Sequence, residues 1–180
     1  MRLFGGRRRT PDDAGLRSAV EDVLVRELGR LPDAGNDRLR PLDVDRLHAR
    51  LLHLGINAAR DVEDDLVWSW RGREFTVRAI GADTEILDLR ADWPRTPTID
   101  RLTEFWRLCN AWNAERVWPT ASVRVDDDGE VLLGGRVSID VETGVSEAQL
   151  DHLLRTAIGS TVAFFDAVDG TYPDPIAEAP

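Results

Sequence analysis

From Asp43 onward the sequence predicts an α+β fold, an antiparallel sheet with helices in the order α-β-β-β-α-β-β-α, preceded by an extra N-terminal helix. Three observations carry that expectation. The stretch from Thr98 to Pro119 has the apolar spacing of one long helix with a sharp exit. Three runs of strict apolar–polar alternation precede it and two follow it. Further helical patterns stand at both ends of that succession.

The first helical pattern is Leu16, Val20, Val23, Leu24 and Leu28, opened by Pro11-Asp12-Asp13 and closed by Gly29. Residues 29–41 are rich in Gly, Pro and Asp without periodicity and read as a linker. The chain therefore divides into a basic tail, helix and linker over 1–40, an α+β domain over 41–173, and a Pro-rich tail over 174–180. The second helix starts at the N-cap Asp43, with Leu42 and Leu47 placed as a hydrophobic staple, and stops at Gly55. In the next three runs Leu66, Trp68 and Trp70 share a face, then Phe75, Val77 and Ala79, then Leu87, Leu89, Ala91 and Trp93. Alternation of this kind gives one buried and one wet face, as in an antiparallel meander. Thr98 is placed to cap the central helix, whose apolar face is Leu102, Phe105, Trp106, Cys109 and Trp112. Asn113 is expected to end that helix and Asn110 to tie down its exit loop. Val123 and Val125 lead to the turn Asp127-Asp128-Gly129, and the chain returns through Val131, Leu133, Val137 and Ile139, with Gly134-Gly135 as an expected bulge. The last helix opens with a capping box, Ser146 and Gln149, and presents Leu150, Leu154, Ala157, Phe164, Phe165 and Val168 along one stripe.

Composition narrows the function. The chain has 180 residues, a net charge of −10 and 42% hydrophobic residues, an ordinary globular mix with no apolar run long enough to cross a bilayer. Every basic residue is an arginine. Such an acidic chain repels phosphate backbones at long range, so neither nucleic acid nor a membrane is an expected partner. One cysteine, Cys109, and no signal-peptide core at MRLFGGRRRT lead to an expected cytoplasmic location. Cys109 sits on an apolar helix face with no histidine or cationic cluster to activate it.

Catalytic motifs do not occur. His48 and His53 are five apart and so do not share a helix face, and His152 is remote. The acidic runs at Asp61–Asp65 and Asp126–Glu130 lack the ligand spacing of a calcium loop. No metal, no cofactor and no enzymatic activity are expected. What the chain has in quantity is tryptophan, six in all, a residue enriched where proteins meet. Trp112 and Trp118 flank the helix exit and are the pair expected at the surface; with Trp106, Asn110 and Asn113 they form the candidate protein-binding set. The alternative is a regulatory domain that binds a small molecule in a pocket between sheet and helices, lined by Trp68, Trp70 and Arg78.

Certain residues carry a resemblance. Asn110–Asn113, Val117-Trp118-Pro119, the paired strands around Asp126-Asp127-Asp128-Gly129, the segment GVSEAQLDHLL and the closing FFDAVDGTYP resemble the YbjN family of bacterial proteins over residues 41 to 173. The resemblance implies a fold like that of the class I type III secretion chaperones. It also implies a protein-binding habit, a homodimer and a regulatory role in sensory transduction, without catalysis.

Overall fold

The computed structural model describes residues 38–173. The expected N-terminal tail, helix and linker, up to residue 37, and the tail at 174–180 lie outside the described residues. Within them the order is α1 (Val44–His53), β1 (Ala59–Arg60), β2 (Leu66–Trp70), β3 (Arg73–Ile80), β4 (Ile86–Asp92), a 3-10 turn (Ile99–Arg101), α2 (Leu102–Glu115), β5 (Thr120–Val125), β6 (Val131–Asp140) and α3 (Glu147–Thr171). The α+β order read from the sequence is the observed one, with the two-residue β1 added ahead of it.

All neighbouring strands are antiparallel, in the spatial order β1-β2-β3-β4-β6-β5. The meander β2-β3-β4 follows sequence. The chain then crosses over through α2, lays β5 at the far edge and returns with β6 beside β4. Leu89 pairs with Val77 on one side and Val137 on the other, which puts three inward apolar residues in one row.

One face of the sheet carries the core. Leu66, Phe75, Val77, Leu87, Leu89, Leu133 and Val137 from the strands meet Leu47 and Leu51 of α1, Phe105 and Cys109 of α2, and Leu150, Leu154, Phe164 and Phe165 of α3. Trp68 stacks on Phe75 with ring centroids 5.2 Å apart. The opposite face has no helix on it among the described residues, and the polar halves of the strands point there.

Local signals explain each boundary. Asp43 accepts a hydrogen bond from the Arg46 N–H at 2.8 Å, and Leu42 and Leu47 are both buried as the staple requires. Ser146 and Gln149 form the reciprocal capping box that starts α3. Arg46, itself nearly buried, joins the two ends of the domain by donating to the carbonyls of Arg40, Pro41 and Val145 and to Glu147.

Two expectations are corrected. Thr98 precedes a 3-10 turn, and its side chain makes no cap bond; the α-helix starts at Leu102. Gly134-Gly135 is no bulge, because β6 pairs continuously with β4 and β5 through both residues. The glycines supply space instead. A Cβ on Gly135 would stand 3.1 Å from the ring of Pro119, and one on Gly134 would stand 2.8 Å from Asp92 Oδ1.

Candidate functional site

The central helix α2 meets the rest of the domain on one side and solvent on the other. Phe105 and Cys109 fix its inward face. Burial pushes the Cys109 thiol up to about 11, so it stays protonated and inert, as its apolar setting implies. Trp112 is half-buried, packed at 5.0 Å on Phe164, covered by the Arg116 guanidinium at 4.2 Å, and its indole N–H donates to the Pro119 carbonyl at 3.1 Å. Trp118 is also half-buried against the core and joined to Pro119 by a cis peptide. Trp112 and Trp118 are therefore not the tryptophans most directed to the surface. Trp106 is, at 58% exposed.

At 100° per residue, Thr103, Trp106, Asn110 and Asn113 fall on one flank of α2, and the charges Glu104, Arg107 and Glu115 fall on the other. Ile99 extends the uncharged flank at its start and Val117 beyond its end, at 51% and 84% exposed. The charged flank turns toward α3. There a groove of about 200 Å³ runs between the helices, lined by Leu108, Ala111, Trp112, Phe164, Ala167 and Val168 among others.

Asn113 does not end the helix, which runs on to Glu115, and Asn110 is exposed. It is Asn113 that ties down the exit. Its Nδ2 donates to the Ala121 carbonyl at 2.9 Å and its Oδ1 accepts the Ala121 N–H at 2.8 Å. The side-chain amide thus acts as a strand neighbour for the first outward-facing residue of edge strand β5. Two residues further on, the outward backbone groups of Val123 have no partner among the described residues, by the alternation of an antiparallel ladder. Replacement of Asn113 by Ala is expected to cost about 1–3 kcal/mol, because it leaves the buried Ala121 amide unpaired. Chemical denaturation reads that loss, together with faster hydrogen exchange in β5.

The residues of the alternative pocket do not come together. Trp68 and Trp70 point to the helix-covered face of the sheet, whereas Arg78 points to the opposite one. Trp68 is filled in by its stack on Phe75, and Trp70 is exposed with Arg71 over its ring at 4.5 Å.

Arg78 belongs instead to a cluster that the sequence did not signal. Asp88, fully buried, stands in the middle of the uncovered face. Its Oδ1 accepts from Arg136 Nε at 2.5 Å and Ser138 Oγ at 2.7 Å, and its Oδ2 from Arg78 Nη2 at 2.7 Å and Arg90 Nε at 3.0 Å. Burial alone would raise this carboxyl. The bonds from Ser138, Arg78 and Arg136 outweigh it and hold the carboxyl down to about 2. Alternation had placed Asp88 on a wet face; the pairing of β4 with β6 is what closes arginines over it.

No group of three or more His, Cys, Asp or Glu side chains could hold a metal ion among the described residues. No helix among them is long and apolar enough to cross a membrane. The geometry is that of an α+β domain with a helix-backed antiparallel sheet, an exposed uncharged helix flank and no assembled acid–base or nucleophilic centre among the described residues. Residues 43–170 match the family model of YbjN, described as "Putative bacterial sensory transduction regulator". The chain belongs to the YbjN family. The crystal structure of E. coli YbjN, described as "a putative transcription regulator", is similar with a TM-score of 0.65 at 16% identity, over 74% of this chain and 96% of that one. The ExoT–SpcS complex of Pseudomonas aeruginosa matches with a TM-score of 0.36 at 14% identity, over 67% of this chain and 94% of that one. No curated protein matches the chain.

Proposed function

We propose that this chain is a non-enzymatic, regulatory protein-binding module that works in the cytoplasm and pairs with a second copy of itself. The observation that carries the reading is the uncharged flank of α2, centred on Trp106 and extended by Ile99 and Val117. A large exposed aromatic on an uncharged helix flank, with exposed apolar residues near both ends of the helix, is the kind of surface that another protein covers. The free edge of β5 lies beside this flank, held there by Asn113, so helix and strand offer one joined surface. The groove between α2 and α3, with Trp112 in its floor, is left for the regulated partner. Membership of a family described as a sensory transduction regulator supports a regulatory role.

Sedimentation velocity over a range of concentrations tests the reading. The wild type is expected to sediment as a dimer. Trp106→Glu puts a charge at the centre of the seam and is expected to weaken association by about thirty-fold or more, the loss typical of a central tryptophan. A wild type that stays monomeric at the highest concentration, or a dimer indifferent to Trp106→Glu, sinks the self-association reading.

A further inference from the structure

The uncovered face of the sheet carries a second feature, independent of the central helix. In the register of the sheet Thr76, Arg90, Arg136 and Thr120 form one row across four strands, β3, β4, β6 and β5. Arg90 and Arg136 are directly opposite each other. Two like charges in that relation repel, and a sheet does not keep them together without a reason. Asp88, one row away, supplies part of it by accepting the Nε of both.

Asp88 does not neutralise the pair. Three guanidinium groups converge on one carboxylate. Arg78 has a second acid, Asp65, at 3.6 Å. Asp65 thus stands against Arg78, and the single carboxylate of Asp88 is shared by all three cations. The bonds to Asp88 also use the inner edge of each arginine. The hydrogen bonds of Arg90 and Arg136 among the described residues all come from Nε and none from the Nη atoms, and the two side chains are 48% and 45% exposed. Two guanidinium groups are thus fixed by a buried post, side by side, with their donor forks turned to solvent. Paired forks held in place before a ligand arrives are the arrangement that bidentate oxyanion recognition needs. The Thr76 and Thr120 hydroxyls stand at the two ends of the row.

The surroundings set the size of the ligand. Glu74 and Asp92 occupy the neighbouring row, with Asp92 3.6 Å from Arg124. Those acids bound the positive patch on one side, and the chain as a whole is at −10. An extended polyanion would meet repulsion beyond the two arginines. A compact anion would not.

We propose that the Arg90–Arg136 pair is a binding site for a compact tetrahedral oxyanion, namely inorganic phosphate or the phosphate group of a small phosphomonoester. Arg90 and Arg136 bind the oxygens, and Asp88 is a positioning residue that aims them. The site lies on the face of the sheet opposite to the helices, so ligand can bind whether or not the helical surface is occupied.

Titration of the isotope-labelled full chain, followed by amide and arginine Nε resonances at pH 7.5, tests this. The probes are inorganic phosphate and O-phosphoserine, with acetate and sodium chloride at matched ionic strength. Saturable shifts centred on Thr76, Arg90, Arg136 and Thr120 are expected with both phosphates and not with the two comparison salts. Arg90→Gln and Arg136→Gln are each expected to weaken binding by about ten-fold, the loss of one charge-assisted contact, while Arg107→Gln on α2 leaves it unchanged. Tighter binding of O-phosphoserine than of phosphate assigns the site to a phosphorylated organic ligand; equal binding assigns it to the free anion. Absence of saturation in the wild type overturns the proposal, whatever the variants do. So does equal saturation with chloride or acetate, or an unchanged titration in a folded Arg90→Gln/Arg136→Gln double variant. Where a glutamine variant does not fold, Arg136→Lys keeps the charge and removes the second prong, and an undiminished affinity there also overturns it.

Discussion

Replacement of Phe165 by Ala is expected to cost about 3–5 kcal/mol of folding stability. Phe165 is fully buried on α3 and packs on Phe164 at 5.2 Å. Its ring also lies 5.5 Å beneath the Arg73 guanidinium. That arginine is itself buried, and it is held by Asp166 and Asp169 of the same helix. Loss of the ring removes apolar contact on one side and the platform of a buried charge on the other. Neither gap can close without moving the helix, because Leu150, Leu154 and Val168 pin it along its length. Urea denaturation with unchanged slope and a lowered midpoint is the expected result. Leu154→Ala, in the same stripe, is expected to fall in the range of about 2–5 kcal/mol.

Replacement of Asp88 by Ala is expected to cost about 3 kcal/mol near neutral pH. Removal of a buried carboxylate leaves its cations facing one another, which is the expensive way to break a buried pair. Arg90 and Arg136 can turn to water, so the loss falls at the low end of what a sealed pair would show. The acid dependence gives a second, independent reading. The folded carboxyl is held at about 2, below the ordinary value near 3.9 for an unfolded Asp. A lowered folded value means that the unfolded chain takes up the proton first as pH falls. The stabilisation is therefore complete above about pH 4 and disappears as pH drops toward 2, amounting to about 2 kcal/mol. The stability difference between wild type and Asp88→Asn should shrink across that window and stay level from pH 5 to 8. A difference that does not change between pH 4 and 2 would show that the carboxylate is not held by its arginines.

What could be read from the chain follows the range of each interaction. Helix caps at Asp43 and Ser146, the alternation of Leu66, Trp68 and Trp70, and the stop at Gly55 depend on residues within a turn or a strand of one another. They were legible, and so was the order of elements. The partner of a strand is not encoded at that range. Asp88 reads as a wet-face acid until β6, and not β5, lies beside β4 and brings Arg136 and Ser138 over it. The same long-range choice hid the row of Arg90 and Arg136. Among the tryptophans, Trp106 and Trp112 both lie on the wide apolar face of α2, and spacing alone cannot rank them. The rotation of the helix about Phe105 and Cys109 decides, and it turns Trp112 inward and Trp106 outward. Gly134 and Gly135 read as a bulge because glycine has several uses in a strand; close approach of Pro119 and Asp92 was the one that applied.

The pairing of β4 with β6 has a kinetic consequence. The β2-β3-β4 meander and the β5-β6 hairpin each join strands adjacent in the chain, so each can form from its own residues. The seam between them can zip only after the whole of α2 has been carried across, a loop whose closure entropy must be met before any contact rewards it. The rate-limiting event in folding should then be the docking of two preformed pieces along Ile86–Asp92 and Gly134–Asp140. Substitutions within the meander, already formed at that step, should then slow refolding with little effect on unfolding, whereas those on the docking line should divide their effect between the two rates.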